Sequence, residues 1–349
     1  MPIRGSYNMG FMQEKVKMNQ LCNSDLDLPI RFTINVSKLI ISTSEVTTVN
    51  KLKQNNTLKM TLANGSPGGE IYINNFEILE MPNFVDYLRS GWQFSLSIAI
   101  DFTASNGAAR HKTSYHSFND KNYYKQGISD VGGILEQYDQ FKHFPVFGFG
   151  AVPRFMGERE TNHCFPLNGN YDEPEIQGID NVLKTYLKNL PTISMGGPTF
   201  FSSIMDVFMD FATEGRDLKT YFILLIMTDG TIHDFGLTKR LIVQASKLPC
   251  SIIIVGVGDN DFYQMYELDG DEGLLKDEDE RQAVRDIVQF VRLQDCTSKM
   301  KLSEEVLKEI PDQFCQYMEL INFKPFKLQA DLDRINRTVN KQKSAMLER

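Results

Sequence analysis

The chain has only five cysteines in 349 residues, and no two of them form a CxxC pair. Cys22, Cys164, Cys250, Cys296 and Cys315 lie far apart, which argues against a zinc finger or RING-type module. An odd, dispersed set suits reduced thiols in the cytosol. The five histidines are scattered too. His163 and Cys164 are neighbours, but adjacent side chains rarely share a metal, so packing is their expected role.

Long apolar runs are missing. The longest, Tyr221–Met227 and Ser251–Val257, are far too short to span a bilayer, so any membrane contact is expected to be peripheral. The Met1 region lacks the apolar core of a signal peptide. Positive charge is scarce. The net charge is −8, and no basic stripe is present, so no nucleic-acid partner is expected. An acidic protein is also repelled by anionic lipid unless Ca²⁺ or a local basic patch intervenes. No GxSxG elbow, HExxH, Walker A or kinase signature occurs, and no nucleophile–base pair stands out.

What is present centres on Ser95-Leu-Ser-Ile-Ala-Ile-Asp101-Phe-Thr103-Ala-Ser105-Asn-Gly107. Apolar residues alternate at Leu96, Ile98 and Ile100 and then stop at a carboxylate. The run reads as a strand. Asp101, Thr103 and Ser105 then fall on a loop past its C-terminal end, the rim where open α/β sheets bind ligands. A carboxylate and two hydroxyls are hard oxygen donors, suited to Mg²⁺ or Mn²⁺.

In chain order, residues 1–26 read as a poorly ordered leader. Residues 27–94 have β texture, with alternation in Arg31–Val36, Thr57–Leu62 and Glu70–Leu79 and a hairpin signal at Ala63–Gly69. From Ser95 strands and helices alternate. Strands are expected at Ser95–Asp101, Phe144–Gly150, Tyr221–Met227, Cys250–Val257 and Asp286–Leu293. Continuous apolar runs mark the central ones as buried on both faces. Helical periods lie at Val131–Phe141, Glu175–Leu190, Phe200–Phe211, Phe235–Leu248 and Lys301–Leu320, the last interrupted by Pro311. This pattern argues an α/β fold with a doubly wound, mostly parallel sheet over 95–322. Residues 323–349 read as a charged tail.

Two more loops reach the same rim. Gly196-Gly-Pro-Thr199 precedes the helix at Phe200, with Thr199 as its expected N-cap. Thr228-Asp229-Gly230 follows the most apolar strand. Singly, each is an ordinary turn or helix start. Together they bring two carboxylates and three hydroxyls to one rim, a set that balances a divalent cation and leaves room for water and one ligand oxygen.

These motifs, with Phe144-Pro-Val-Phe-Gly-Phe-Gly-Ala151, Phe165-Pro-Leu-Asn-Gly169 and Arg285-Asp-Ile-Val-Gln-Phe-Val291, resemble those of the copine family from about Phe84 to Tyr317. The resemblance implies a von Willebrand factor A-type domain with a metal-ion-dependent adhesion site on Asp101, Thr103, Ser105, Thr199 and Asp229. It further implies a non-enzymatic module. Bound Mg²⁺ or Mn²⁺ would accept an acidic side chain of a target protein, and Ca²⁺ would drive recruitment from the cytoplasm to acidic phospholipid at the plasma membrane. Residues 27–94 resemble the closing strands of a C2 domain, with Phe84-Val-Asp-Tyr-Leu-Arg-Ser-Gly91 as the link. Asp25 and Asp27 are the only remnants of a C2 calcium loop, so that calcium site is expected to be incomplete.

Other readings stay open. The rim could serve a metal-dependent hydrolase. A ubiquitin-ligase-associated A domain is disfavoured, because no cysteine follows Phe323. A partner-binding fragment without lipid binding, or a folded spacer, would suit the same pattern. The acidic stretches Asp259–Asp261 and Leu268–Glu280 lack EF-hand spacing and read as solvated loops. Gly148 and Gly150 do not complete a GxGxxG frame and read as strand-end punctuation.

Overall fold

The computed structural model describes residue 21 and residues 25–36, 39–55, 57–73, 78, 81–118, 121–270 and 273–326. Most of the expected leader, and the expected tail beyond residue 326, lie outside the described residues. The chain packs as two units divided after Met81. Residues 82–94, expected with the β segment, therefore fold with the second unit.

The first unit is an antiparallel meander in sequence order: β1 (Thr33–Val36), β2 (Leu39–Ser44), β3 (Thr57–Leu62) and β4 (Pro67–Tyr72). A short helix, α1 (Val49–Gln54), joins β2 to β3, and the Thr48 hydroxyl caps it by accepting the Lys51 N–H. Alternation in β3 buries Leu58 and Met60 and exposes Lys59 and Thr61. Leu58 joins Ile30, Val49 and Leu52 in a small core. The expected hairpin is closed by the Leu62 N–H on the Ser66 carbonyl. The carboxylates of Asp25 and Asp27 are engaged locally, by the Asp27 N–H and by Asn50 respectively.

In the second unit, α2 (Phe84–Arg89) leads into β5 (Gln93–Asp101). The chain continues through α3 (Tyr123–Gly127), β6 (His143–Phe149), β7 (Ala151–Pro153), β8 (Phe165–Pro166), β9 (Glu175–Gln177) and α4 (Ile179–Asn189). Then follow β10 (Ile193–Met195), α5 (Ser202–Glu214), β11 (Thr220–Thr228), α6 (Phe235–Ala245), β12 (Cys250–Gly256), α7 (Tyr263–Asp269), β13 (Val288–Arg292), α8 (Lys299–Leu307) and α9 (Ile310–Leu320).

The main sheet has the order β13-β12-β11-β5-β6-β8, with β9 also pairing β6. The first five strands are parallel, while β8 and β9 run antiparallel along the β6 edge. The fold is thus α/β with a mostly parallel, doubly wound sheet. The alternation of each strand sends one set of side chains to each face. Leu96, Ile98, Ile100, Ile223 and Leu225 pack with residues of α3, α4, α8 and α9. Ala99, Leu224, Ile226, Ile252 and Ile254 pack with α5, α6 and α7. Phe314 of α9 contacts the rings of Phe84, Tyr87, Trp92, Phe94 and Tyr221. Such pairs contribute about 0.5–1.5 kcal/mol each beyond burial, which is why α2 belongs to this unit.

Several expected elements are repositioned. The helix expected over Val131–Phe141 runs earlier: α3 continues through a π turn (Ile128–Gly132) and stops at Leu135. Asp139 ends it. Its carboxylate accepts the N–H groups of Phe141 and Lys142 and, across the gap, that of Leu96 on β5. Phe141, expected inward, is exposed. The start of the expected Glu175–Leu190 helix is instead strand β9, and Gly178, at φ +74, turns the chain into α4. The acidic loop is only partly solvated. Buried Asp269 accepts the Phe290 N–H, and buried Asp277 pairs with Arg281.

Candidate metal centre

The sheet grows outward in two directions from the β5–β11 pair: β6 follows β5 on one side, and β12 and β13 follow β11 on the other. The carboxyl ends of β5 and β11 therefore flank the topological switch point, where α/β sheets form their ligand crevice. Ile100 pairs with Met227, so the next residues, Asp101 and Thr228, emerge side by side.

Asp101 is fully buried. Its Oδ1 accepts the Thr103 N–H at 2.8 Å and the Thr103 hydroxyl at 2.6 Å, and its Oδ2 accepts the Thr228 hydroxyl at 2.7 Å. Thr103 Oγ1 lies 3.0 Å from Ser105 Oγ. Ser105 is exposed, so the set opens to solvent there. The Asn106 amide donates to the Thr103 carbonyl and hydroxyl, and Tyr124 donates to Asn106.

Asp229 is 1% exposed, yet neither of its carboxylate oxygens has a hydrogen-bond partner among the described residues. Burial, followed by the charge of Asp101, raises its pKa to about 7. The Ser105 hydroxyl offsets only part of that rise. Burial also raises the pKa of Asp101, against the bonds from Thr103 and Thr228. Two acids held together in a dry site without a cation thus resist ionising.

Thr199 is buried, but it is not the expected helix cap: α5 starts at Ser202 without a side-chain cap of its own. The Asp234 carboxylate accepts the N–H groups of Phe201 and Ser202 instead. Thr199 is fixed by its backbone. Its N–H donates to His233 Nδ1, and its carbonyl accepts the His233 N–H. Its loop is joined to the first one where the Gly196 carbonyl accepts the Ala104 N–H at 2.7 Å. Asp101, Thr103 and Ser105 are thus hydrogen-bonded together, Asp229 is coupled to them by charge, and Thr199 stands on the adjoining loop.

Several supporting roles escaped the sequence reading. His116 is fully buried. Its Nε2 lies 2.7 Å from the Asp101 carbonyl oxygen and its Nδ1 2.7 Å from the Tyr186 hydroxyl. The carbonyl can only accept, so Nε2 carries the proton and Nδ1 accepts from Tyr186. The ring stacks on Tyr124 with centroids 3.8 Å apart. Burial holds its pKa down at about 3, so it is neutral. Asn260 donates to the Asp229 carbonyl. Gly150, at φ +74, leaves room that a Cβ would take from Thr103 Cγ2. Thr228 was in view as part of a turn motif, but its bond to Asp101 links residues 127 apart in sequence.

Among the described residues no group of three or more His, Cys, Asp or Glu stands ready for a metal. A cation here would be held by two carboxylates and by hydroxyls, an all-oxygen set that suits a hard divalent ion. The two unpartnered oxygens of Asp229 fit that role.

A family model described as Copine matches residues 114–326. Protein BONZAI 1 of Arabidopsis thaliana is 40% identical over 263 residues, which cover 73% of this chain and 45% of that protein. Copine-A of Dictyostelium discoideum is 34% identical over 344 residues, covering 92% of this chain and 56% of its own length. The chain spans about half the length of these curated relatives. Among solved structures, manganese-loaded TRAP protein of Plasmodium vivax overlaps 60% of this chain and 73% of its own, at 13% identity and a TM-score of 0.38. A von Willebrand factor type A protein of Catenulispora acidiphila overlaps 78% of this chain and 46% of its own, at 9% identity and a TM-score of 0.36.

Proposed function

This chain belongs to the copine family, and from that premise we propose that its second unit is a metal-dependent, non-catalytic binding module. Asp101, Thr103, Ser105, Thr199 and Asp229 would hold Mg²⁺ or Mn²⁺. The ion would supply positive charge and an open position for a carboxylate oxygen from an acidic side chain of a partner protein. The observation that carries this reading is the buried Asp229 carboxylate, with both oxygens unpartnered among the described residues, beside the buried carboxylate of Asp101. An unpaired buried charge is costly, and a cation removes the cost.

The protein's own residues set the rest. Thr103 and Thr228 orient the Asp101 carboxylate by hydrogen bonds to its two oxygens. Ser105 marks the solvent side, where a partner would approach. A hydrolytic role would need a general base at the rim. Of the two imidazoles in contact with the site, His116 has both nitrogens committed, and Nδ1 of His233 accepts the Thr199 N–H, which argues against a histidine general base.

At the level of the whole protein, we propose that Ca²⁺ directs the family's recruitment from the cytoplasm to acidic phospholipid at the plasma membrane, and that the A-type domain carries its acidic partner there.

The site is tested by titrating Mg²⁺ and Mn²⁺ into the metal-free chain and its Asp229→Ala variant, following thermal unfolding and heat of binding. The expected result is saturable stabilisation of the wild type and none of the variant. A wild type indifferent to both ions, or a variant that responds equally, overturns the reading.

A further inference from the structure

A second recess adjoins the rim. It is an open pocket of about 660 Å³ between the 158–164 segment and Ser203. Thr161 in its wall packs against Gly196, whose carbonyl holds the Ala104 N–H of the first site loop. His163 packs on Phe200, the residue after Thr199, with ring centroids 4.7 Å apart. The pocket wall is therefore packed against the loop that carries Thr199.

The pocket is held in shape by Asn162. Its N–H donates to the Ala151 carbonyl, and its own carbonyl accepts the Gly150 N–H, so the wall is laid against the end of β6. Its side-chain oxygen accepts the Cys164 N–H at 2.9 Å. Its amide donates to Glu158 Oε2 at 2.9 Å and Oε1 at 3.2 Å, and the Tyr171 hydroxyl donates to Oε1 at 3.1 Å. Glu158 is thus a partly buried carboxylate fixed by neutral donors. Among the described residues no Lys or Arg pairs with it; the exposed Arg159 and Glu160 also line the pocket and make no ion pair, so the charges of its lining sum to one negative. Burial lowers the pKa of His163 despite the charge of Asp234, so its ring brings no cation to the pocket. A carboxylate has about four acceptor positions; the Asn162 amide, which also donates to the Tyr171 hydroxyl at 2.8 Å, and the Tyr171 hydroxyl together fill at most three of them.

We infer that this pocket receives a basic side chain, Lys or Arg, of the same partner whose acidic group reaches the rim. The partner motif is then an acidic residue with a basic residue a few positions away. The pocket is of a size that ordinarily accommodates small ligands, and a fixed, unpaired carboxylate gives a cation a charge-assisted bond without reorganisation. The inference rests on the partner-binding reading of the rim.

The test is selection from a displayed peptide library with one fixed aspartate and random flanks, carried out on the full chain in Mg²⁺. The selected peptides are then re-measured on Glu158→Gln and Tyr171→Phe. The expected result is enrichment of Lys or Arg at a fixed offset, with binding about tenfold tighter than that of alanine-flanked peptides. Glu158→Gln should remove that advantage and keep the Mg²⁺ thermal shift, while Tyr171→Phe should reduce the advantage in part. Acidic peptides that bind in Mg²⁺ with no basic preference, or a preference that survives Glu158→Gln, overturn the pocket assignment and leave the rim reading intact. If no acidic peptide binds the Mg²⁺-loaded wild type, the rim reading fails and takes the pocket with it.

Discussion

His116 Nε2 stands 2.7 Å from the main-chain oxygen of Asp101, and the same ring accepts from Tyr186 on α4 at 2.7 Å. The strand end that presents Asp101 is therefore held from behind by a neutral imidazole. His116→Phe leaves the Asp101 carbonyl buried and unpaired, at a cost of about 1–3 kcal/mol. We expect a lower unfolding temperature and Mg²⁺ affinity weakened about tenfold. His116→Gln, which can still donate to the carbonyl, should recover most of the affinity. Calorimetric Mg²⁺ titration of the three proteins decides it; equal affinity for Phe and wild type removes the positioning role.

The pH dependence of the metal-free chain follows from Asp229. Its folded pKa, about 7, lies above the ordinary 3.8. The folded state therefore binds this proton more tightly than the unfolded state. The associated stability is full below about pH 3.8 and is lost as pH rises through 7. Asp229→Asn removes the loss, so at pH 8 in EDTA its unfolding temperature should exceed that of wild type by about 5 °C. His116 acts in the opposite sense: its folded pKa of about 3 lies below the ordinary 6.5, so its contribution is full above 6.5 and declines as the solution is acidified. A Tm for Asp229→Asn equal to or below that of wild type at pH 8 contradicts this account.

Gly150 and Thr103 should couple. A Cβ at Gly150 strikes Thr103 Cγ2 and must also adopt φ +74. Gly150→Ala should cost about 2 kcal/mol or more. Thr103→Ser removes the struck methyl and keeps the hydroxyl on Asp101. In a double-mutant cycle read by denaturant unfolding, the pair should be less destabilised than the sum of the singles. Strict additivity would show that only backbone strain is at work.

Asp234 caps a helix from another loop. Asp234→Ala frees the N–H groups of Phe201 and Ser202, which should cost about 1–2 kcal/mol in urea unfolding. Because Phe201 follows Thr199 so closely, Mn²⁺ affinity should fall as well. Unchanged stability would mean that the bonds to Asp234 are not needed to start α5.

We expect any lipid docking by this chain to be independent of the rim. Co-sedimentation with phosphatidylserine vesicles, with and without Ca²⁺, should pellet the chain only if its own first or second unit carries the proposed membrane docking. In that case Asp229→Ala should still pellet. Loss of Ca²⁺-dependent pelleting in Asp229→Ala would place lipid and metal at one site.

The sheet was legible because buried parallel strands leave unbroken apolar runs, as in Phe222–Met227 and Ile252–Val255, and because a carboxylate ends the alternation at Asp101. What the sequence concealed was held by long-range bonds. Asp139 ends a helix whose apolar period continues to Phe141, and nothing local announces that its carboxylate will face the Leu96 N–H. Thr199 has the composition of a cap, but Asp234 takes that place from a loop more than thirty residues away. His116 carried no motif. Its role follows only from stacking on Tyr124 and bonding across to β5. Glu158 likewise belongs to no motif; it is fixed by Asn162 and Tyr171.

The β6 edge bears two short antiparallel strands, β9 along His143–Pro145 and β8 along Phe147–Gly148. Their hydrogen bonds occupy the ladder that a foreign strand would need in order to add there. That flank of the main sheet thus ends in strands of only two and three residues, which disfavours β-augmentation and edge-to-edge aggregation there.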